Sequence, residues 1–95
     1  KRMSLRNLDG TIFSEIALES GAKAVGKRLA EISPDFPEEC ILVSVRRRGR
    51  MLIPHGDTVF MPGDQVTVFV NSADLETIRG CLRGDLAQPS VPQKL

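Results

Sequence analysis

The sequence predicts a small α+β domain, in which a mostly antiparallel sheet carries a C-terminal helix packed on one face. Its 95 residues are 41% hydrophobic and 26% charged, which is enough apolar material for one core but not for two. Short apolar segments with the two-residue period of strands are separated by turn signals. The elements follow the order β-α-β-β-β-α, which differs from the repeated βαβ units of a nucleotide-binding fold.

The N-terminal part predicts one strand and one short helix. Residues 1–10 are polar and are expected to form a lead-in or linker. Thr11 to Glu19 has the alternation of a half-buried strand. The apolar face of this strand carries Ile12, Ile16 and Leu18. Helical spacing then predicts a helix over residues 26–32, and Pro34 prevents its continuation.

The middle of the chain predicts a central strand and a hairpin. Cys40 to Val45 is a near-continuous apolar run, which is typical of a strand covered on both faces. Arg46 to Arg50 contains Gly49, a residue able to adopt the positive φ of a tight turn. Met51 to Ile53 is expected to return as the partner strand. Pro54 ends the pairing, because proline cannot donate to a ladder.

The C-terminal part predicts a strand followed by an amphipathic helix. Pro62-Gly63 fits the two central positions of a type II turn, and Gln65 to Val70 alternates as a strand. Asn71 or Ser72 is expected to cap the last helix. Residues 85–95 contain too little apolar material to pack and are expected to be a disordered tail.

Composition excludes several classes of function. Thirteen basic against twelve acidic residues give a net charge of +1, and the aromatic residues are four Phe without Trp or Tyr. Overall charge therefore gives no sign of nucleic-acid or membrane-surface binding, and few side chains can stack on bases.

Cys40 and Cys81 match no zinc or redox spacing and are interpreted as core residues of a reduced, cytosolic protein. The chain starts at Lys1, and we expect it to be part of a longer protein.

No constellation of acid, base and nucleophile is visible, so we predict neither catalytic residues nor a metal site. His55 is the single histidine and is assigned to a turn. Arg46, Arg47, Arg48 and Arg50 form the only strong charge cluster. Such a cluster either keeps a hairpin solvated, which protects a sheet edge, or binds an anion through its guanidinium groups.

Four short motifs carry a family resemblance over residues 11–83. These are Val25-Gly26-Lys27, Ile41 to Arg47, Ile53 to Thr58, and Pro62 to Val66. In this order and spacing they resemble the TrkA C-terminal domain, also called the RCK C-terminal domain. The resemblance implies a cytosolic regulatory module over residues 11–84 that forms homodimers, some relatives binding cyclic di-AMP at the dimer cleft. It indicates these ligand-binding candidates: Ile41, Leu42, Arg47, Ile53, Pro54 and His55.

The resemblance leads to one main hypothesis and two alternatives. The main hypothesis is a non-enzymatic, ligand-sensing domain on the cytoplasmic side of the inner membrane, acting on the transmembrane portion of a prokaryotic ion-transport protein. Potassium channels, transporters and antiporters are the expected hosts, followed by chloride-channel-type proteins, and cyclic di-AMP is the candidate effector in place of any cofactor. One alternative is a ligand-free structural dimerisation module. The other is nucleic-acid binding through the Arg46 to Arg50 hairpin, against which the scarcity of aromatics argues.

Overall fold

The computed structural model describes residues 10–84, which contain four strands and two short α-helices. The elements are β1 (Thr11–Ala17), α1 (Leu29–Ile32), β2 (Cys40–Arg47), β3 (Arg50–Leu52), β4 (Gln65–Asn71) and α2 (Leu75–Leu82). This order confirms the predicted α+β class. Neither described helix is long and apolar enough to cross a membrane. The expected disordered tail and all but the last residue of the expected lead-in lie outside the described residues, so these domain limits stay predictions.

The four strands form one antiparallel sheet in the order β1-β4-β2-β3. Strand β2 lies inside the sheet, as predicted, and β4 lies between β1 and β2. Alternate residues of β4 point into the core, where Val66, Val68 and Val70 are fully buried. Ile78 and Leu82 of α2 belong to the same core. Burying each such side chain stabilises the fold by roughly 1.5–3 kcal/mol, so the valine alternation holds α2 on this side of the sheet.

The other side of the sheet is open, which corrects the expectation that β2 is covered on both faces. Ile41 is 59% exposed and Val43 is 38% exposed. The apolar run of β2 therefore contributes side chains to both sides of the sheet, since the residues of the run that are not exposed face the core. We call the exposed side the open face and the side packed against α2 the core side.

A β-bulge at Val43 decides which residues of β2 reach each side. Leu42 pairs with Val68 and Ser44 pairs with Thr67, so Val43 is an extra residue without its own partner in β4. The bulge shifts the alternation by one residue. Beyond it Val45 is fully buried, Arg47 follows on the core side, and Arg46 remains exposed on the open face.

The first helix is shorter than the predicted span of residues 26–32. It covers only Leu29–Ile32, because the preceding backbone groups bond to a neighbouring segment instead. Gly26 N donates to Phe60 O at 2.8 Å, and Phe60 N donates to Lys27 O at 3.1 Å. Gly26 has a φ of 85° and Arg28 is extended, so the helix begins only at Leu29.

The hairpin between β2 and β3 has a two-residue turn, since Arg47 pairs with Arg50. Arg48 and Gly49 both have positive φ, 53° and 78°, as a type I′ turn requires. The partner strand begins one residue earlier than predicted, at Arg50. The turn thus carries an arginine where asparagine or glycine is usual.

The cap of the C-terminal helical region is Asn71, one of the two predicted residues. Its side chain accepts a hydrogen bond from Ala73 N at 2.9 Å. A single 3-10 turn follows at Ser72–Asp74 before α2 begins. The cap satisfies a backbone donor that the helical turns leave without a partner.

Candidate ligand site

The six predicted ligand residues lie in different surroundings. Ile41 and Ile53 are 59% and 62% exposed. Met51 pairs with Arg46 on the open face, and Ile53 continues this alternation, so it also lies on that side. Leu42 faces the core and is half-buried. The open face therefore carries both isoleucines, whereas Leu42 lies on the core side.

Arg47 is bound to Asp64 by two hydrogen bonds. Its Nε donates to Oδ1 and its Nη2 donates to Oδ2, both at 2.8 Å. Nη2 also donates to the carbonyl of Val59 at 3.0 Å. The bond to Asp64 is the main cause that raises the pKa of Arg47 above its ordinary value. Nη1 has no hydrogen bond within residues 10–84, and the side chain is 28% exposed, so Arg47 keeps one nitrogen with two N–H groups for an anion.

Asp64 is fully buried and connects Arg47 to the backbone of a turn. Its Oδ2 accepts a hydrogen bond from Met61 N at 2.9 Å, while its own N–H donates to Met61 O at 3.1 Å. Gly63 has a φ of 91°, which confirms the predicted type II turn. The sequence patterns predicted this turn, but they did not reveal that Asp64 is the ionic partner of Arg47.

A small cavity lies beside Arg47 at the end of the hairpin. It has a volume of about 210 Å³ and is lined by Arg47, Arg48, Met61, Pro62 and Gly63. Within the described part of the chain, Arg46, Arg48 and Arg50 form no ion pair or hydrogen bond through their side chains, in contrast to Arg47. Three guanidinium groups are thus free to meet an anion near this end of the sheet.

Pro54 and His55 lie in the loop after β3. His55 N donates to Thr58 Oγ1 at 2.8 Å, and Thr58 N donates to His55 O at 3.0 Å. His55 therefore has the turn position that the sequence predicted, with an exposed side chain. Across residues 10–84, no three His, Cys, Asp or Glu side chains come together in a way that could hold a metal ion.

Both cysteines are free thiols that belong to the core or pack against it. Cys81 Sγ donates to the carbonyl of Asp35 at 3.3 Å. Burial is the main cause that raises the pKa of both thiols above 9.0. The interpretation of the two cysteines as core residues is confirmed.

The sequence reasoning missed an aromatic pair on the open face. Phe13 of β1 lies opposite Phe69 of β4, and their ring centroids are 4.6 Å apart. Ile41 lies opposite Phe69 from the other side, so the three side chains form one row across the sheet. The signal was present in the alternation of β1, where Phe13 follows Ile12, a half-buried residue that packs against the core, and therefore faces the other side of the sheet.

A cavity of about 320 Å³ opens at the end of this row. Ile41 and Phe69 contribute its apolar lining, and Thr11, Glu38, Glu39, Cys40 and Asn71 complete it. The open face is therefore an apolar row with an adjoining depression, at the opposite end of the sheet from the arginine hairpin.

The family model described as the TrkA-C domain matches residues 13–80. The chain belongs to the TrkA-C domain family. A curated relative, the Trk system potassium uptake protein TrkA homolog of Archaeoglobus fulgidus, is 35% identical over 66 residues. This match covers 70% of the chain but only 15% of the relative, so the chain spans a small part of that protein's length.

Solved RCK structures share the fold. An RCK domain solved with cda has 25% identity and a TM-score of 0.59, over 75% of this chain and 97% of that one. The RCK_C domain dimer of S. agalactiae BusR in complex with c-di-AMP has 19% identity and a TM-score of 0.56, over 76% and 94%. The RCK C domain of the potassium transport protein KtrA in complex with c-di-AMP has 18% identity and a TM-score of 0.60, over 81% and 89%.

Proposed function

We propose that this TrkA-C domain is a non-enzymatic regulatory module of a potassium-transport protein, and that it binds cyclic di-AMP as a homodimer. The family assignment and the potassium uptake relative support the host. The RCK structures solved with c-di-AMP support the ligand class. The host acts in the membrane, and this module works on its cytoplasmic side. Potassium is favoured over chloride because the curated relative is a potassium uptake protein.

The observation that carries the ligand proposal is the free Nη1 of Arg47 beside the cavity of about 210 Å³, and the exposed side chains of Ile41 and Ile53 add to it. Ile41 and Ile53 offer apolar surface for an adenine base, and base contacts of this kind need no matching hydrogen bonds. Nη1 of Arg47, held in place by Asp64, offers two donors to a phosphate. A ligand with two bases and two phosphates would use both features in each of two copies.

Regulation follows from differential affinity. A ligand that contacts both copies stabilises the dimer geometry in which all its contacts are made. It therefore shifts the conformational equilibrium of the transporter. The size of the shift equals the difference between the ligand's binding free energies for the two dimer geometries. No bond is made or broken in this step, which is consistent with a module without catalytic residues.

Isothermal titration calorimetry with cyclic di-AMP tests the proposal. Ile53→Ser removes an exposed apolar contact and should weaken binding by about tenfold. Val59→Ser is the matched control, because Val59 is also exposed, at 41%, but its side chain lines neither described cavity and is not among the six candidate residues. The absence of heat and of a thermal shift with the unmodified chain at high ligand concentration would remove cyclic di-AMP as the effector.

Arg47 needs a different variant, because Arg47→Ala would also leave Asp64 without its ionic partner. Arg47→Lys keeps a positive charge near Asp64 but loses the free Nη1. If Arg47 contacts a phosphate, Arg47→Lys should bind the ligand more weakly than the unmodified chain. Its unfolding midpoint should nevertheless lie closer to that of the unmodified chain than the midpoint of Arg47→Ala does. Unchanged affinity in a folded Arg47→Lys variant would remove Arg47 from the ligand site.

A ligand-free dimerisation module is the second candidate, and the exposed apolar row on the open face favours it. It predicts a dimer in light scattering that gives no calorimetric response to cyclic di-AMP. A dimer that responds to the ligand would exclude this candidate in favour of the first.

A further inference from the structure

The cavity beside the hairpin turn is lined by two arginines, and they differ in how much positive charge each brings to it. Its volume is about 210 Å³, which is smaller than the roughly 300–1,000 Å³ of pockets that enclose a whole drug-sized ligand. Arg47 and Arg48 are the charged members of its lining. A space of this size beside guanidinium groups suits one anionic group of a larger ligand, such as a phosphate.

Arg47 does not by itself give this cavity a net positive charge. Its guanidinium forms two hydrogen bonds of 2.8 Å with Asp64, and Asp64 is fully buried. The two opposite charges therefore largely cancel for a third group. Nη1 of Arg47 offers hydrogen bonds to an anion, but an anion that reaches Nη1 also approaches the negative charge of Asp64.

The Met61 to Gly63 turn, which completes the lining, offers no free backbone donor. Met61 N donates to Asp64 Oδ2 at 2.9 Å. Gly63 N donates to the carbonyl of Leu18 at 2.7 Å, and Pro62 has no N–H group. This turn therefore cannot hold an anion through its backbone, as the turns of many phosphate sites do. The charge and the hydrogen bonds must come from arginine side chains.

Arg48 is the remaining source of positive charge in the lining. It is exposed, and within residues 10–84 its side chain forms no ion pair or hydrogen bond. Its guanidinium group keeps five N–H donors. Unlike the charge of Arg47, the charge of Arg48 is not balanced by a bound carboxylate in the described part of the chain.

The backbone of Arg48 indicates a role beyond the turn. Its φ of 53° makes it the only residue other than glycine with positive φ between residues 10 and 84. This conformation is unfavourable for a long side chain, and asparagine or glycine is usual at this position of a type I′ turn. Unfavourable backbone conformations of this kind cluster at ligand-binding sites. Solvation of the hairpin alone does not require Arg48, because Arg46 and Arg50 are also exposed.

We propose that Arg48 is a second phosphate-binding residue, which holds one phosphate group of the ligand together with Nη1 of Arg47. This assignment rests on the ligand site proposed above and adds a residue outside the six candidates. Arg47 sets the position of the phosphate, because Asp64 holds its guanidinium in place. Arg48 supplies the net positive charge that the pair of Arg47 and Asp64 lacks.

Calorimetry with cyclic di-AMP separates the binding role of Arg48 from its place in the turn. Arg48→Asn removes the charge but suits the backbone of a type I′ turn better. It should weaken binding by about tenfold, while its thermal unfolding midpoint stays equal to or above that of the unmodified chain. A purely structural role would not lower affinity without lowering stability.

Two further variants separate the charge in the cavity from the overall charge of the hairpin. Arg48→Lys keeps a positive charge at the turn and should bind within about threefold of the unmodified chain. Arg50→Gln removes a charge from the same hairpin but outside the cavity lining, and it should weaken binding by at most about twofold. Equal losses in Arg48→Asn and Arg50→Gln would overturn the assignment.

Inorganic phosphate distinguishes a failure of this assignment from a failure of the proposed ligand. Cyclic di-AMP binding that is unchanged in Arg48→Asn overturns the role of Arg48 and leaves the proposed function intact. If the unmodified chain gives no heat with cyclic di-AMP, its backbone amides are followed by NMR during titration with sodium phosphate at constant ionic strength. Shifts at Gly49 and Gly63 that are lost in Arg48→Asn would support a phosphate site without the dinucleotide. The absence of such shifts would overturn both proposals.

Discussion

Replacing Arg47 by alanine should strongly destabilise the domain, because it leaves a buried carboxylate without its ionic partner. Asp64 is fully buried and receives both 2.8 Å hydrogen bonds from Arg47, so the variant would keep only the bond from Met61 N. Breaking a fully buried pair costs about 3–5 kcal/mol. Arg47 is 28% exposed, so water can partly replace it, and we expect a loss of about 2–3 kcal/mol.

Urea unfolding measures this loss directly. A domain of this size has an m-value of about 1 kcal/mol/M, so the midpoint should fall by about 2–3 M. Arg46→Ala is the matched control, since Arg46 is adjacent in sequence but has no side-chain partner in the described residues, and its effect should stay within about 0.5 kcal/mol. Combining Arg47→Ala with Asp64→Ala should cost at least about 1 kcal/mol less than the sum of the single changes. An Arg47→Ala midpoint equal to that of Arg46→Ala would refute the reasoning.

Three further predictions concern the hairpin, the helix cap and the thiols. Arg48→Asn should stabilise the domain by about 0.5–1 kcal/mol in the same urea assay, because asparagine adopts positive φ more readily beside Gly49; a lower midpoint would contradict the type I′ assignment. Asn71→Ala should cost about 1 kcal/mol by thermal unfolding, since it removes the hydrogen bond to the backbone, and an unchanged midpoint would show that the cap contributes nothing. Burial raises the pKa of Cys40 and Cys81 above 9.0, so the folded state favours the protonated thiols. The contribution of the protonated thiols to the free energy of unfolding is present below pH 9.0 and is lost as the pH rises above it. Replacing both cysteines with alanine should therefore reduce the fall in the free energy of unfolding at alkaline pH. Equal slopes of this free energy against pH in the two proteins would contradict the burial of the thiols.

Local patterns predicted those parts of the fold in which one periodicity continues without interruption. The alternation of Val66, Val68 and Val70 identified β4 and its buried side, and Pro62-Gly63 identified the turn before it. Both depend on contacts close in sequence, which simple periodicity can represent.

The remaining features depend on contacts between distant segments. The helix expected over residues 26–32 lost its first three residues because Gly26 and Lys27 bond to Phe60, far along the chain. The bulge at Val43 cannot be predicted from a run of apolar residues, since every residue in the run is equally suited to a strand. For the same reason the sequence pointed to Arg47 as a ligand residue without revealing its bond to Asp64, and it did not single out Phe13.

The bulge at Val43 has a consequence for how this domain can change during evolution. It places the two consecutive arginines in different surroundings: Arg47 binds the buried Asp64, and Arg46 is exposed on the surface. Substitutions at Arg46 can therefore alter what the domain recognises at little cost to folding. Loss or gain of one residue in β2 would exchange the two assignments at once. Variation among homologues is accordingly expected to be tolerated as substitution at Arg46 and to be selected against as a change in strand length.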